Sequence, residues 1–255
     1  LKIVRARWLD DETTIARFLR EARSTAKLEN PHIVKVLDHG RDGPIVYIAM
    51  ELMRGLTLRD AMRLEEGPLP YSDVLRLFRH MAEGVRTAHD AGVIHRDLKP
   101  GNLFINYDNQ AWHLKVMDFG LAKPTETDPD DSIELKTQQG ILVGTPAYMS
   151  PEQVKAQKVD KLSDIYSLGV TLFYMAVGKS PYDGETNTFS IQTKIVTLAL
   201  PDASEIYPGV SEKFEKIISK ATQKKKKDRY QSCKDFSNDL QLHNENIKQY
   251  LEQKT

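Results

Sequence analysis

The 255 residues include 36 Lys and Arg against 36 Asp and Glu, so no net field draws the chain to nucleic acid or to an anionic membrane. With 40% hydrophobic and 28% charged residues it reads as ordinary globular protein, long enough for one large domain or two lobes sharing a core. The single cysteine, Cys233, excludes an internal disulfide and suits a reducing, cytoplasmic setting.

The chain opens on Leu1 rather than Met and shows no secretory signal. This predicts a preceding segment in the native protein and leaves room for a membrane anchor outside these residues. Residues 1–7 and 33–50 contain short apolar runs, IVKVLDHG and PIVYIAMEL, split by the turn formers GRDGP, which predicts strands and a hairpin. Between them, TIARFLREARSTAKLEN places Ile15, Phe18, Leu19, Ala22 and Ala26 near helical spacing and ends at Asn30-Pro31. SDVLRLFRHMAEGVRTAHDAG predicts a helix capped by Ser72-Asp73 and stopped by Gly92.

Two apolar runs follow, 103–106 and 112–117, and then an irregular stretch to about residue 150. Beyond it the pattern is helical to the end. SLGVTLFYMAVG at 167–178 is nearly all apolar, too short for the roughly 20 residues of a bilayer span and therefore expected to be a buried helix. Lys224–Lys227 reads as a solvated surface turn. The pattern has no internal repeat and describes a small β-rich lobe joined near residues 51–55 to a larger helical one, a junction that favours a cleft.

The polar residues concentrate in HRDLKPGN, residues 95–102, between apolar runs. It supplies a carboxylate at Asp97, a cation at Lys99 and an amide at Asn102, and VMDFGLA adds a second carboxylate, Asp118. A carboxylate and an amide oxygen are hard ligands suited to Mg²⁺. A free carboxylate beside a lysine suits the orientation of a hydroxyl against a phosphoryl group, so the set specifies phosphoryl transfer better than hydrolysis by a Ser or Cys nucleophile.

HRDLKPGN, DFG and then GTPAYMSPE at 144–152, in that order, resemble the catalytic loop, metal loop and A-P-E segment of protein kinases. The wording of GTPAYMSPEQ and SDIYSLG is most similar to bacterial serine/threonine kinases of the eukaryotic type, and the likeness runs from Lys2 to about Tyr230. It implies an α+β bilobal kinase fold, with a partial small lobe at 1–53 and a large lobe at 54–255. It also implies a serine/threonine protein kinase that uses ATP and Mg²⁺ on protein substrates, with self-association for autophosphorylation.

By the same resemblance Asp97 orients the substrate hydroxyl, Asn102 and Asp118 hold Mg²⁺, and Lys99 neutralises charge on the moving phosphoryl group. Lys2 would contact the nucleotide phosphates and pair with Glu21. The connector Glu51–Met53 would offer adenine its backbone groups, with Met50 as gatekeeper and Phe104 under the ring. His95 is expected to be a scaffold residue. Thr137, then Ser132, are the expected sites of activating phosphorylation, with Arg96 receiving the phosphate. Thr145 belongs to the substrate-docking loop by the same likeness. Asp164 is read as a helix cap, with a further bond to the catalytic-loop backbone implied by the family, and Glu152 and Arg229 as a buried ion pair.

One departure stands out: only one residue precedes Lys2, so the glycine-rich hairpin that covers the phosphates in kinases is not in this sequence. Either the chain is a fragment, or the protein works without that roof. The second case includes a catalytically silent kinase-like binding module. A small-molecule phosphotransferase is the third reading, and GTPAYMSPE, which resembles a peptide platform, speaks against it.

Overall fold

The computed structural model describes residues 2–3, 12–65, 67–108, 111–119 and 146–252. In the small lobe, β1 (Lys2–Ile3), β2 (Val36–Asp42) and β3 (Ile45–Met50) form an antiparallel sheet in the order β1-β3-β2, and α1 (Glu12–Thr25) packs against it. Ile15, Phe18 and Ala22 lie on one helical face and bury against Val36, Val46 and Ile48. The helix stops at Thr25, earlier than expected, and Ala26 is exposed, because the chain turns there and buries Leu28 instead. Apart from β3, β1 pairs with no other described strand. An unpaired strand edge here predicts exposed apolar surface at Leu1 and Ile3, and both side chains lie outside those described.

The large lobe continues with β4 (Leu56–Thr57), α2 (Leu58–Glu65), α3 (Tyr71–Asp90), β5 (Leu103–Asp108) and β6 (Ala111–Val116), the strands pairing antiparallel in the order β4-β5-β6. It closes with α4 (Pro151–Val154), α5 (Lys161–Val177), α6 (Thr188–Thr197), α7 (Ala203–Ile206), α8 (Glu212–Ala221) and α9 (Cys233–Glu252). Leu77, Phe78, Met81 and Val85 of α3 are fully buried, and the Phe78 ring meets Phe236 of α9 at 4.6 Å. α5 buries residues on every side, as its lack of a polar face requires.

Two helix starts differ from the sequence reading. α3 begins at Tyr71 behind Pro70, whose extended backbone takes the cap position and whose carbonyl already accepts from Asp73 N and Val74 N. Ser72 and Asp73 therefore sit in the first turn, where the aspartate complements the helix dipole. α5 is capped by Asp160, which accepts from Leu162 N at 2.9 Å, and this releases Asp164 from capping.

The loop after α1 ties the small lobe to the large one. Val34 N donates to Val116 O at 2.9 Å and Val116 N to His32 O at 2.8 Å. Gly84 makes the approach of α3 possible, since a Cβ there would lie 2.7 Å from His32 O. Behind this seam His32 stacks on His80 at 4.0 Å, and His80 lies parallel to His113 at 5.9 Å.

Candidate active site

The catalytic-loop residues are held by backbone and side-chain bonds from three directions. Asn102, in the short 3-10 turn Pro100–Asn102, donates its side-chain amide to Asp97 O at 2.8 Å and to Asp97 Oδ2 at 3.1 Å. Lys99 Nζ lies 2.6 Å from the same carboxylate oxygen. Met117 N donates to Asn102 O at 3.0 Å, so Asp118 stands one residue from a hydrogen bond that joins β6's continuation to the catalytic loop. The backbone thus sets Asp118, just past the end of β6, beside Asn102, just before the start of β5, while Asp97, Lys99 and Asn102 cluster through their side chains.

The donor set suits magnesium. With its Nδ2 directed at Asp97, Asn102 has its amide oxygen available, and Asp118 adds a carboxylate. Among the described residues no group of three His, Cys, Asp or Glu forms a metal cluster. A site of one amide, one carboxylate and nucleotide phosphates requires none.

His95 is fully buried. Its Nε2–H donates to Met117 O at 2.9 Å, and its Nδ1 accepts from Asp97 N at 3.2 Å. Burial holds its pKa down against the nearby carboxylates. Both ring nitrogens are therefore used within the loop, and the ring, 4.7 Å from Phe119, joins the two signature segments.

Below it, Asp164 is 1% exposed and accepts His95 N at 2.9 Å and Arg96 N at 2.8 Å. Those bonds, with Gln153 Nε2 donating to Arg96 O at 2.6 Å, hold Arg96 at φ 66°; Asp118 is at φ 62°. Left-handed backbone at such residues costs on the order of 1–3 kcal/mol each and persists where the surroundings over-determine it.

Glu152 and Arg229 form a buried bidentate pair with both N–O distances at 2.8 Å. Ser163 donates to the same carboxylate, and the guanidinium also donates to Leu162 O and Gln223 O. Burial pushes the Glu152 pKa up, but the Arg229 and Ser163 bonds outweigh it and bring it to about 2. The lysine run beside this pair is only half solvated: Lys224 sits over the Tyr166 ring and Lys226 bonds Asp160. Only Lys225 and Lys227 project as the sequence suggested.

At the connector, Lys115 Nζ meets both Glu51 oxygens at 2.7 and 2.8 Å, and Lys35 N donates to Oε1 at 2.7 Å. Met50 ends β3, Met53 follows in the connector, and Phe104 lies across from Lys115 in the β5–β6 pair. Glu21 lies on α1, close enough for its charge to raise the Arg96 pKa, although burial, the larger effect, lowers it. Lys2 lies in β1 opposite Ile48; its side chain, like Thr137, Ser132 and Thr145, lies outside the described residues.

Sequence reasoning missed Lys115, His89 and Cys233. His89 Nε2 is 2.7 Å from Asp164 Oδ2, and its Nδ1 is 3.7 Å from Cys233 Sγ. No local pattern connects residues 75 and 144 positions apart; only a complete stretch such as HRDLKPGN announces itself.

A small sheet lobe, a helical lobe and a carboxylate–amide–lysine cluster of Asp97, Asn102 and Lys99 in the helical one are the architecture of a kinase domain. The chain belongs to the protein kinase family: residues 1–240 match the family described as "Protein kinase domain". It is 37% identical over 241 residues to the serine/threonine-protein kinase PknL of Mycobacterium bovis, covering 94% of this chain and 58% of the relative. To PrkC of Bacillus subtilis it is 35% identical over 240 residues, covering 94% and 35%. The chain thus spans a little over half, or less, of these curated relatives. The crystal structure of the Mycobacterium tuberculosis PknI kinase domain double mutant C20A_R136A superimposes with a TM-score of 0.72 at 25% identity, over 93% of this chain and 81% of that one.

Proposed function

We propose that this chain is the catalytic domain of a serine/threonine protein kinase, transferring the γ-phosphate of ATP to hydroxyl groups of protein substrates. The observation that carries the reading is the bonding of Asn102 to both the backbone and the carboxylate of Asp97, with Asp118 linked alongside through Met117. Asp97 receives and orients the substrate hydroxyl, accepting its proton as the oxygen attacks. Lys99, already on the Asp97 carboxylate, offsets negative charge on the transferred group.

Asn102 and Asp118 would hold Mg²⁺, which when bound neutralises phosphate charge. Lys2, paired with Glu21, would position the phosphates, and Met50, Glu51, Met53 and Phe104 would enclose adenine. A cytoplasmic setting fits the use of ATP and a single free, buried thiol; among the described residues no helix is long and apolar enough to cross a membrane.

The test is transfer of label from γ-labelled ATP to a protein substrate, with the chain assayed alone and with a glycine-rich hairpin joined ahead of Leu1. The expected outcome is labelled Ser or Thr in at least the extended form. Asp97→Asn should lower kcat by about 10²–10⁴-fold, the usual contribution of a positioned acid–base group, with unchanged melting. Transfer in neither form overturns the assignment.

A further inference from the structure

We infer that Arg59 selects the substrate: its guanidinium favours Ser and Thr acceptors that carry a carboxylate side chain two to four residues ahead of them in the substrate sequence. The inference deepens the kinase reading and rests on it for Asp97 as the group that holds the hydroxyl. Leu58, Ala61 and Met62 are buried and fix α2 to the core, and Arg59, next to Leu58, reaches toward the catalytic loop. Its guanidinium covers Gly101: a Cβ there would lie 3.5 Å from Arg59 Nη1 and 3.6 Å from Cζ. Gly101 is the middle residue of the Pro100–Asn102 turn, between Asn102 and Lys99, whose amine lies on the Asp97 carboxylate.

The charge is available. The Arg59 side chain is 53% exposed, and its partner Asp60 places Oδ1 3.5 Å from Nε, longer than an ordinary hydrogen bond. Thr57 holds the other Asp60 oxygen at 2.6 Å. An exposed pair of that kind contributes little, so the guanidinium keeps its Nη donors for an incoming carboxylate, which it can grip with two parallel bonds. Arg63, exposed one turn further along α2, adds positive charge on the same helical face. The field also reaches the GTPAYMSPE segment: burial and then Tyr174 raise the Tyr148 pKa, whereas Arg59 lowers it. Arg59 therefore stands between the catalytic loop and that segment.

Distance sets the register. Gly101 follows Asp97 by four positions, a span of at most about 14 Å even for a fully extended chain. A substrate strand advances about 3.3 Å per residue, so a hydroxyl on Asp97 brings side chains two to four residues along it within reach of Arg59. The chain's own expected phosphorylation sites have this spacing. Asp128 and Asp130 stand four and two residues before Ser132, and Glu134 stands three before Thr137.

The probe is a peptide of residues 125–140, compared with a twin in which every Asp and Glu is replaced by Asn or Gln. In the hairpin-extended chain, kcat/KM should be about tenfold higher for the acidic peptide, the scale of one charge-assisted hydrogen bond. The preference should disappear in Arg59→Gln, and Arg59→Glu should favour a twin carrying Lys at those positions. Arg41→Gln, which removes an exposed guanidinium from the small lobe, should keep the preference. A glutamate walked along a neutral peptide with a single Ser should act only two to four residues ahead of it.

Equal rates for the two peptides, a preference that survives Arg59→Gln or is lost equally in Arg41→Gln, or a glutamate that acts elsewhere or everywhere would each overturn the selection. Calorimetry on the chain as it stands, at low salt and without ATP, should show the same ratio in peptide affinity and the same dependence on Arg59. Absent transfer with that ratio intact counts against the kinase reading alone, and equal affinities overturn the role of Arg59.

Discussion

Two carboxylate–cation clamps flank the site and differ in kind. Glu152–Arg229 has side chains 4% and 0% exposed and ties the segment after the signature loops to the turn between α8 and α9, whereas Glu51–Lys115, with both side chains 29% exposed, ties the connector to β6. In the first, every donor is spent inside the protein, so removing one partner strands the other in a dry place. In the second, water can replace either partner. Ion pairs of similar length therefore do different jobs: one fixes the platform beneath the catalytic loop, and the other sets the connector at little energetic consequence.

The comparison breaks most directly at Arg229. Arg229→Ala should cost about 3–5 kcal/mol by stranding Glu152, a fall in melting temperature on the order of 10 °C for a chain of this size. Unchanged melting would show that the pair carries no structural weight. Replacing both partners, as in Glu152→Gln with Arg229→Met, should recover much of the loss, since the expensive state is the unpaired charge and not the missing bond.

Acid should separate the regions next. The lobe-seam ring His80 has its pKa lowered to about 3, by burial first and the neighbouring His32 second. The unfolded chain takes up that proton near pH 6.5. Between those values the unfolded state binds more protons, so His80 contributes stability that is fully present above about pH 6.5 and is lost as pH falls toward 3. Glu152, at about 2 against an ordinary 4.5, contributes stability that is lost only as pH drops from 4.5 toward 2. Denaturant titrations across pH should show the seam's loss beginning first, and His80→Phe should reduce the slope from pH 6.5 down to about 3 while leaving the share that Glu152 adds below 4.5.

The smallest effect belongs to the connector. Lys115→Met should change stability by about 0–1 kcal/mol, and 0.5 M salt should erase most of that difference. A larger, salt-insensitive loss would mean that the connector clamp behaves like the buried one.

HRDLKPGN and DFG were legible because each is a continuous run whose residue types have few other uses together, and the buried α5 was legible because a helix without a polar face has nowhere else to go. The start of α3 was misread because Ser72-Asp73 has the chemistry of a cap, while the extended backbone of Pro70 takes the cap position two residues before Ser72. Asp164 was misread as a cap because two aspartates stand four residues apart, and only the fold shows that Asp160 takes the helix end.

The amino-acid order alone determined the family likeness, the two lobes and the identities of the reactive groups, since local spacing and side-chain chemistry are properties of neighbours in the chain. The tertiary structure decided which of those groups support one another. Cys233 reaching His89, Lys115 reaching Glu51, and the half-burial of Lys224 and Lys226 all depend on close packing between elements remote in sequence. Hydrogen bonds and ion pairs act over a few ångströms, and no spacing along the chain encodes a distance that only folding creates.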